Sequence, residues 1–273
     1  MITLLAALSP LAFASGAIDP DCAEAAAAPA PAWYVDDEHQ QNYLLNFFAL
    51  STTHSPLHGV LPNEPGHGSI SLEASIIPAL SCNRRLVLDR SKTEDTNKTP
   101  ILPRPRMSFT MPKLGPLAIY GGVGYVPPVT LFGTRNVIIS GEAGVGIPLP
   151  NGLGFGARYH FTMLKTIAEI ATPFDIEEEA YLDYYNGSTF GLDLMVGFKT
   201  PMIEPYLALG FTDASTYFWI GDDGIVSNNT QPYFGFTGSA GAQIHVKRID
   251  GALEFYAAPG LVYTGRFRIG VSI

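Results

Sequence analysis

Along the last nine residues, Gly265 to Ile273, apolar and polar positions alternate. Phe267, Ile269, Val271 and Ile273 share one parity, and Arg266, Arg268, Gly270 and Ser272 share the other. Successive side chains of a strand point to opposite faces, so this is a ribbon with one apolar and one polar face. The alternation recurs upstream. Ile70, Leu72, Ala74 and Ile76 oppose Ser69, Ser71, Glu73 and Ser75; Met107, Phe109 and Met111 oppose Arg104, Arg106, Ser108 and Thr110. Phe155, Ala157, Tyr159, Phe161 and Met163 oppose Gly156, Arg158, His160 and Thr162; Phe190 to Phe198 does the same against Gly191, Asp193 and Lys199.

The connections between ribbons alternate in length, save that the one around Pro127 is of middle length and the outer one at Pro259 is short. Lys247–Gly251, Thr200–Glu204, Pro148–Gly152 and Pro112–Pro116 are short; Gly221–Thr230, Phe174–Gly187 and Pro78–Pro103 are long. Pro127-Pro128 is expected to break the strand begun at Leu117, because proline cannot donate to a ladder. The parity predicts ten strands between Gly68 and Ile273, or twelve if Trp33–Asp37 and Gln41–Ser51 also pair. Ahead of the strands the period changes. Tyr43, Leu44, Phe47 and Phe48 form one helical face, and Asp36, Asp37 and Glu38 suit a helix N-terminus. A short helix over about 38–50 is predicted, then an extended Pro- and His-rich stretch, together a plug segment at 36–67 before a barrel at 68–273.

Composition sharpens the fold class. The 273 residues are 47% hydrophobic but 15% charged, against about 25% charged in a typical soluble domain. Beyond the N-terminus no run of about 18 apolar residues occurs, so no membrane helix is expected. Membrane strands hide their hydrophobicity in alternation. A soluble sandwich would show frequent Lys and Glu on its polar face; here that face is Gly, Ser and Thr with sparse charge. Ribbons of about ten residues cross a tilted bilayer path, and a sheet in lipid must close on itself. The expected fold is all-β, a closed antiparallel transmembrane β-barrel with a short N-terminal helix. The net charge of -9 argues against a nucleic-acid partner.

As a pattern over 68–273, this chain resembles bacterial outer-membrane β-barrel proteins, with Ile273 where such barrels commonly end in Phe or Trp. The resemblance implies a Gram-negative outer membrane, lipid around the apolar face, and contact with barrel assembly machinery through the C-terminal strand. The arrangement of plug and barrel is similar to that of long-chain fatty acid transporters (FadL-like), although this chain is short for them. Met1–Ala17 reads as a signal peptide without its basic start, with Ala12-Phe13-Ala14 and Ser15-Gly16-Ala17 as cleavage candidates. Residues 18–35 read as an Ala/Pro-rich linker.

Candidate chemistry lies on the inner parity: Arg104, Arg106, Glu142, Arg158, His160, Asp193, Lys199, Glu254, Arg266 and Arg268. Buried charges must pair, so a polar network along the lumen is expected. Cys22 and Cys82 could form a disulfide in an oxidising compartment. His54, His58 and His67 are expected to be solvated loop residues rather than metal ligands, since Pro56 disfavours a helix. The run from Arg90 to Thr99 reads as solvated. Neither cofactor nor enzyme activity is expected. Omptin proteases use paired acids, but Asp222-Asp223 between glycines suits a turn; outer-membrane phospholipases use His and Ser, for which His160 and Thr162 are a poor match. The expectation is a narrow or plugged channel for a small, hydrophobic compound. The alternative is a structural or surface-interaction barrel.

Overall fold

The computed structural model describes residues 18–53, 55–171, 182–221 and 225–273, with backbone alone at 225–227. The expectations placed on Met1–Ala17, His54 and Asp222-Asp223 lie outside these residues, as does 174–181 of the Phe174–Gly187 connection. Ten antiparallel strands form the wall: β1 Gly68–Ile76, β2 Ile101–Thr110, β3 Ala118–Leu131, β4 Thr134–Pro148 and β5 Leu153–Ala168. They continue as β6 Asp183–Phe198, β7 Ile203–Ile220, β8 Tyr233–Val246, β9 Ile249–Ala258 and β10 Val262–Ser272. β10 closes on β1, with Glu73 opposite Arg268 and Ser69 opposite Ser272. Closure leaves no open edge to be satisfied in lipid. The short strand Ile225–Asn228 pairs back onto the outer end of β7.

The Pro127-Pro128 pair does not end its strand. The ladder between β3 and β4 shifts register between Val126 and Val129, then resumes to Leu131 opposite Thr134. A bulge absorbs the missing donors, and the connection shrinks to a turn at Phe132 and Gly133, both at positive φ.

The two faces of the wall have opposite chemistry. Leu194, Phe211 and Phe255 are 70%, 56% and 54% exposed on the outside, which in water would be a large unsatisfied apolar surface and in lipid is solvated. Among the described residues no helix is long and apolar enough to cross a membrane; the strands do the crossing.

The helix α1, Asp37–Ser51, sits inside the barrel. Asp36 caps it by accepting from the His39 N–H at 2.8 Å. Its exit is marked by Thr52 and Thr53, whose hydroxyls donate to the Phe48 and Ala49 carbonyls at 2.6 and 2.8 Å. From Ser55 the chain follows the lumen without helix or strand, with a turn at Pro65-Gly66, to Gly68, which pairs with Ile273 at the opposite end. The ends of α1 and of this thread fix the barrel's polarity. Short turns face the periplasm in barrels of this kind and long loops face outward. The helix therefore lies at the outer end, and the thread runs inward.

Residues 18–35 are more than a linker. Pro20–Ala27 forms a turn and short helix, and Cys22 is bonded to Cys82 in the first long loop. Arg84 stacks between Trp33 and Tyr43, 3.6 and 3.8 Å from their ring centroids. The polar run after Arg90 is not solvated as expected. Leu86–Val87 and Lys92–Thr93 form a small hairpin, and Arg90, Lys92 and Thr93 are buried. Arg90 reaches the Ala25 carbonyl, so the charge is satisfied by the arm folded over it.

Candidate functional site

The inner parity of the wall and the threaded segment make one continuous site with three levels. At the periplasmic level the thread is held by its backbone. The Val60 N–H donates to Glu204 at 3.0 Å, and the Gly59 N–H to Gln243 at 3.0 Å. Asn63 donates to Ser108 at 3.0 Å. Val60, 3% exposed, occupies a seat of inward glycines. A Cβ at Gly146, Gly154 or Gly156 would stand 3.0, 3.4 or 3.3 Å from Val60 side-chain carbons. Small residues are used here because the thread passes against the wall.

The middle level is ionic. Glu73 pairs with Arg104 and, at 3.5 Å, with Arg106; Arg106 also pairs with Glu142. The Glu142 carboxylate meets His58 Nε2 at 2.9 Å. Arg158 donates to Asp193 at 2.8 Å and to the Pro56 carbonyl at 2.6 Å. His160 Nε2 is 3.3 Å from the same Asp193. Arg266 donates to the Thr53 carbonyl at 2.9 Å, bonds Ser55, and lies 3.6 Å from Glu254. Arg268 is buried across the ladder from Glu73. Each guanidinium thus has an acidic neighbour on the wall, and two of them also grip carbonyls of the thread. Planar, multi-donor guanidinium groups suit this double duty.

Nine of the ten inner-parity candidates, Arg104, Arg106, Glu142, Arg158, His160, Asp193, Glu254, Arg266 and Arg268, stand in this network. Lys199 does not. β6 stops at Phe198, and Lys199 lies in the following turn, half-exposed, paired with Glu64 of the thread. His58 is a second correction: it is fully buried against Glu142 and the Tyr120 ring, not solvated. Glu73, Tyr206 and Gln243 also belong to the site. Their inward parity was the available signal; Glu73 pairs with arginines of the adjacent β2, whereas Tyr206 reaches Glu254 two strands away and Gln243 holds the thread. Among the described residues no group of three or more His, Cys, Asp or Glu could hold a metal ion.

The outer level is apolar although it lies on the inner parity. Leu102, Val126, Ile138, Leu164 and Tyr185 cluster with Leu45 of α1. Val126 faces Ile138, and Ile138 faces Leu164, so they share one height. Leu44 and Phe47, on another side of the helix, pack into a cluster with Leu80, Tyr256 and Val262. The Tyr185 hydroxyl donates to the Leu45 carbonyl at 2.9 Å, pinning α1 to β6. Between α1, the loop hairpin and the tops of β6 and β7 lies a cavity of about 640 Å³. A smaller chamber of about 50 Å³ shares Phe48, Thr96, Ile170 and Tyr185 with it and reaches down to Leu102 and Leu164. A separate cavity of about 290 Å³ opens at the periplasmic level beside Val60, Glu64 and Glu204. The rim is braced by Asp183, which accepts from the Ile170, Ala171 and Gly221 N–H groups at 2.8, 2.6 and 3.1 Å.

No family model and no curated protein matches this sequence. Solved structures do. The translocator domain of the autotransporter NalP from Neisseria meningitidis is similar with a TM-score of 0.47 and 10% identity over 78% of this chain and 90% of that one. An outer-membrane channel from Pseudomonas putida F1 has a TM-score of 0.40 and 11% identity over 81% of this chain and all (100%) of that one. The attachment invasion locus protein Ail of Yersinia pestis has a TM-score of 0.36 and 10% identity over 77% of this chain and 99% of that one. At these identities the likeness is one of barrel fold. The chain is a closed ten-stranded β-barrel with an apolar outer face suited to lipid, and its lumen is filled by its own N-terminal segment.

Proposed function

We propose that this barrel is a plugged channel for uptake of a small apolar compound, with residues 36–67 as the plug. The observation that carries the reading is the apolar chamber at the outer level of an otherwise polar lumen. A barrel that needed only to be closed would be served by continuing the ionic packing upward. An apolar wall there provides a place where an apolar solute leaves water, at roughly 25 cal/mol per Å² buried. Below it, the thread separates this chamber from the periplasmic cavity, so passage requires the thread to move. Its grip consists of discrete bonds, Arg158 to Pro56, Arg266 to Thr53 and Glu204 to Val60, which can be exchanged for water.

Deletion of residues 36–62 is expected to raise ion conductance in planar bilayers while the product keeps its β-barrel circular dichroism. Where the deletion impairs assembly, Gly146→Phe serves instead, because a side chain there meets Leu61 and Val60 and dislodges the thread while all ten strands remain. Folded protein with unchanged conductance in both variants would overturn the plug.

A further inference from the structure

The outer cavity carries a charge pattern as well as an apolar lining, and the pattern bears on what it can hold. The lysine lining the large cavity, Lys92, lies 3.2 Å from Glu94, which lines the same cavity. The lysine of the smaller chamber, Lys98, lies 3.2 Å from Asp95 in that chamber and 3.8 Å from Glu169. Among the described residues the cations of both linings are therefore neutralised locally by acids of the same linings. The Tyr185 hydroxyl is committed to the Leu45 carbonyl, and Thr230 to Asn42 and Glu38.

We infer that this cavity is a binding site for an uncharged, compact apolar molecule, of fused-ring or short branched-hydrocarbon kind, and that it discriminates against the corresponding carboxylate. The inference rests on the uptake reading and narrows its substrate class. The aliphatic and aromatic faces of Leu44, Leu45, Phe48, Ile170 and Phe218 contribute burial, which a neutral hydrocarbon uses fully. A carboxylate would have to displace Glu94 or Asp95 from its lysine, or lie desolvated beside them. An ionised group buried without a partner is strongly disfavoured. The volume, about 640 Å³, is that of a drug-sized site. The adjoining chamber of about 50 Å³ is too small for a ring, since a cavity of about 150 Å³ is what takes benzene, so the ligand is held by the large cavity.

Naphthalene and 2-naphthoate test this, since they match in shape and differ in charge. The full chain in lipid nanodiscs is equilibrated with each radiolabelled compound, and retention is compared with empty nanodiscs and with a Leu44→Trp variant that fills the cavity. Naphthalene is expected to be retained above both controls, with 2-naphthoate at least about tenfold weaker. Retention of 2-naphthoate equal to or above naphthalene would overturn the discrimination and leave an apolar uptake site standing. Equal naphthalene retention by wild type and Leu44→Trp would overturn this location, and if wild type also equals empty nanodiscs the uptake reading falls with it. Ile170→Trp, on the opposite wall of the cavity, replaces Leu44→Trp where α1 does not tolerate the change.

Discussion

Arg158 shows how one side chain joins wall and plug. It comes from β5, bonds Asp193 on the neighbouring strand, and uses a second nitrogen on the Pro56 carbonyl. Substitution by methionine keeps much of the volume but leaves the Asp193 carboxylate with His160 alone at 3.3 Å. Removing one partner of a buried pair costs about 3–5 kcal/mol. Arg158→Met is therefore expected to lower the thermal unfolding midpoint in detergent markedly. Arg85→Ala, which removes a partly exposed pair with Asp19 at 2.9 Å, should cost no more than about 1 kcal/mol. Similar losses for the two would refute the view that the lumen network holds the structure. The inward placement of Arg158 was legible from parity. Its bond to Pro56 was not, because nothing local to either residue encodes the approach of a segment 102 positions away.

Among the elements, the arm and α1 behave as one assembly. The Cys22–Cys82 bond closes a span of 60 residues, a constraint worth about 4 kcal/mol in the chain-entropy description. Around it, the backbone N–H of Asp21 and then the Arg85 guanidinium hold the Asp19 carboxyl below its ordinary value of 3.8. Burial, with the Asp37 carboxylate that accepts its hydroxyl, pushes Tyr34 up to about 12. For Asp19 the sign is clear. A depressed carboxyl contributes docking stability above its unfolded value and loses it as pH falls through the folded one. With the disulfide reduced, protease cleavage within residues 28–32 should stay slow from neutral pH down to about 4 and accelerate below 3.8. Acceleration already near pH 6 would assign the docking to another group. The helix itself was readable from the spacing of Tyr43, Leu44, Phe47 and Phe48 and from the acidic run Asp36, Asp37 and Glu38 at its start. The small hairpin over Arg90 was not, because its polar run is buried only by the arm and the wall around it.

At the scale of the whole molecule, the thread adds an eleventh crossing to ten strands. β1 and β10 meet at the short-turn end, where Gly68 and Ile273 exchange hydrogen bonds of 3.2 and 2.8 Å. The chain ahead of β1 runs back up the lumen and emerges among the long loops, where Asn42 and Asn46 bond Thr230 and Gln231. Residues 18–36 therefore face the exterior while Ile273 faces the periplasm. An epitope inserted after Pro29, an exposed position, should be labelled by antibody on intact cells. One inserted in the turn after Val246 should be labelled only after permeabilisation. The reverse pattern would invert the polarity and move the apolar cavity to the inner side.

Alternation alone determined the wall. A period of two and a polar parity poor in charge suffice for a closed barrel, since those properties are local and lipid admits few solutions; loop length is the weaker guide, because the outer turns at Phe132-Gly133 and Pro259-Gly260 are as tight as the inner ones. Even so, the last strand, from which the pattern is clearest, carries more than its parity. Arg266 points inward as its position requires, but what it holds there is Thr53 and Ser55 of the plug. Which residues meet across the lumen, where its polar lining gives way to Leu102, Ile138 and Leu164, and that the thread fills it were decided by the tertiary structure. Those contacts join segments far apart in sequence, and their energies depend on burial that exists only once the barrel has closed.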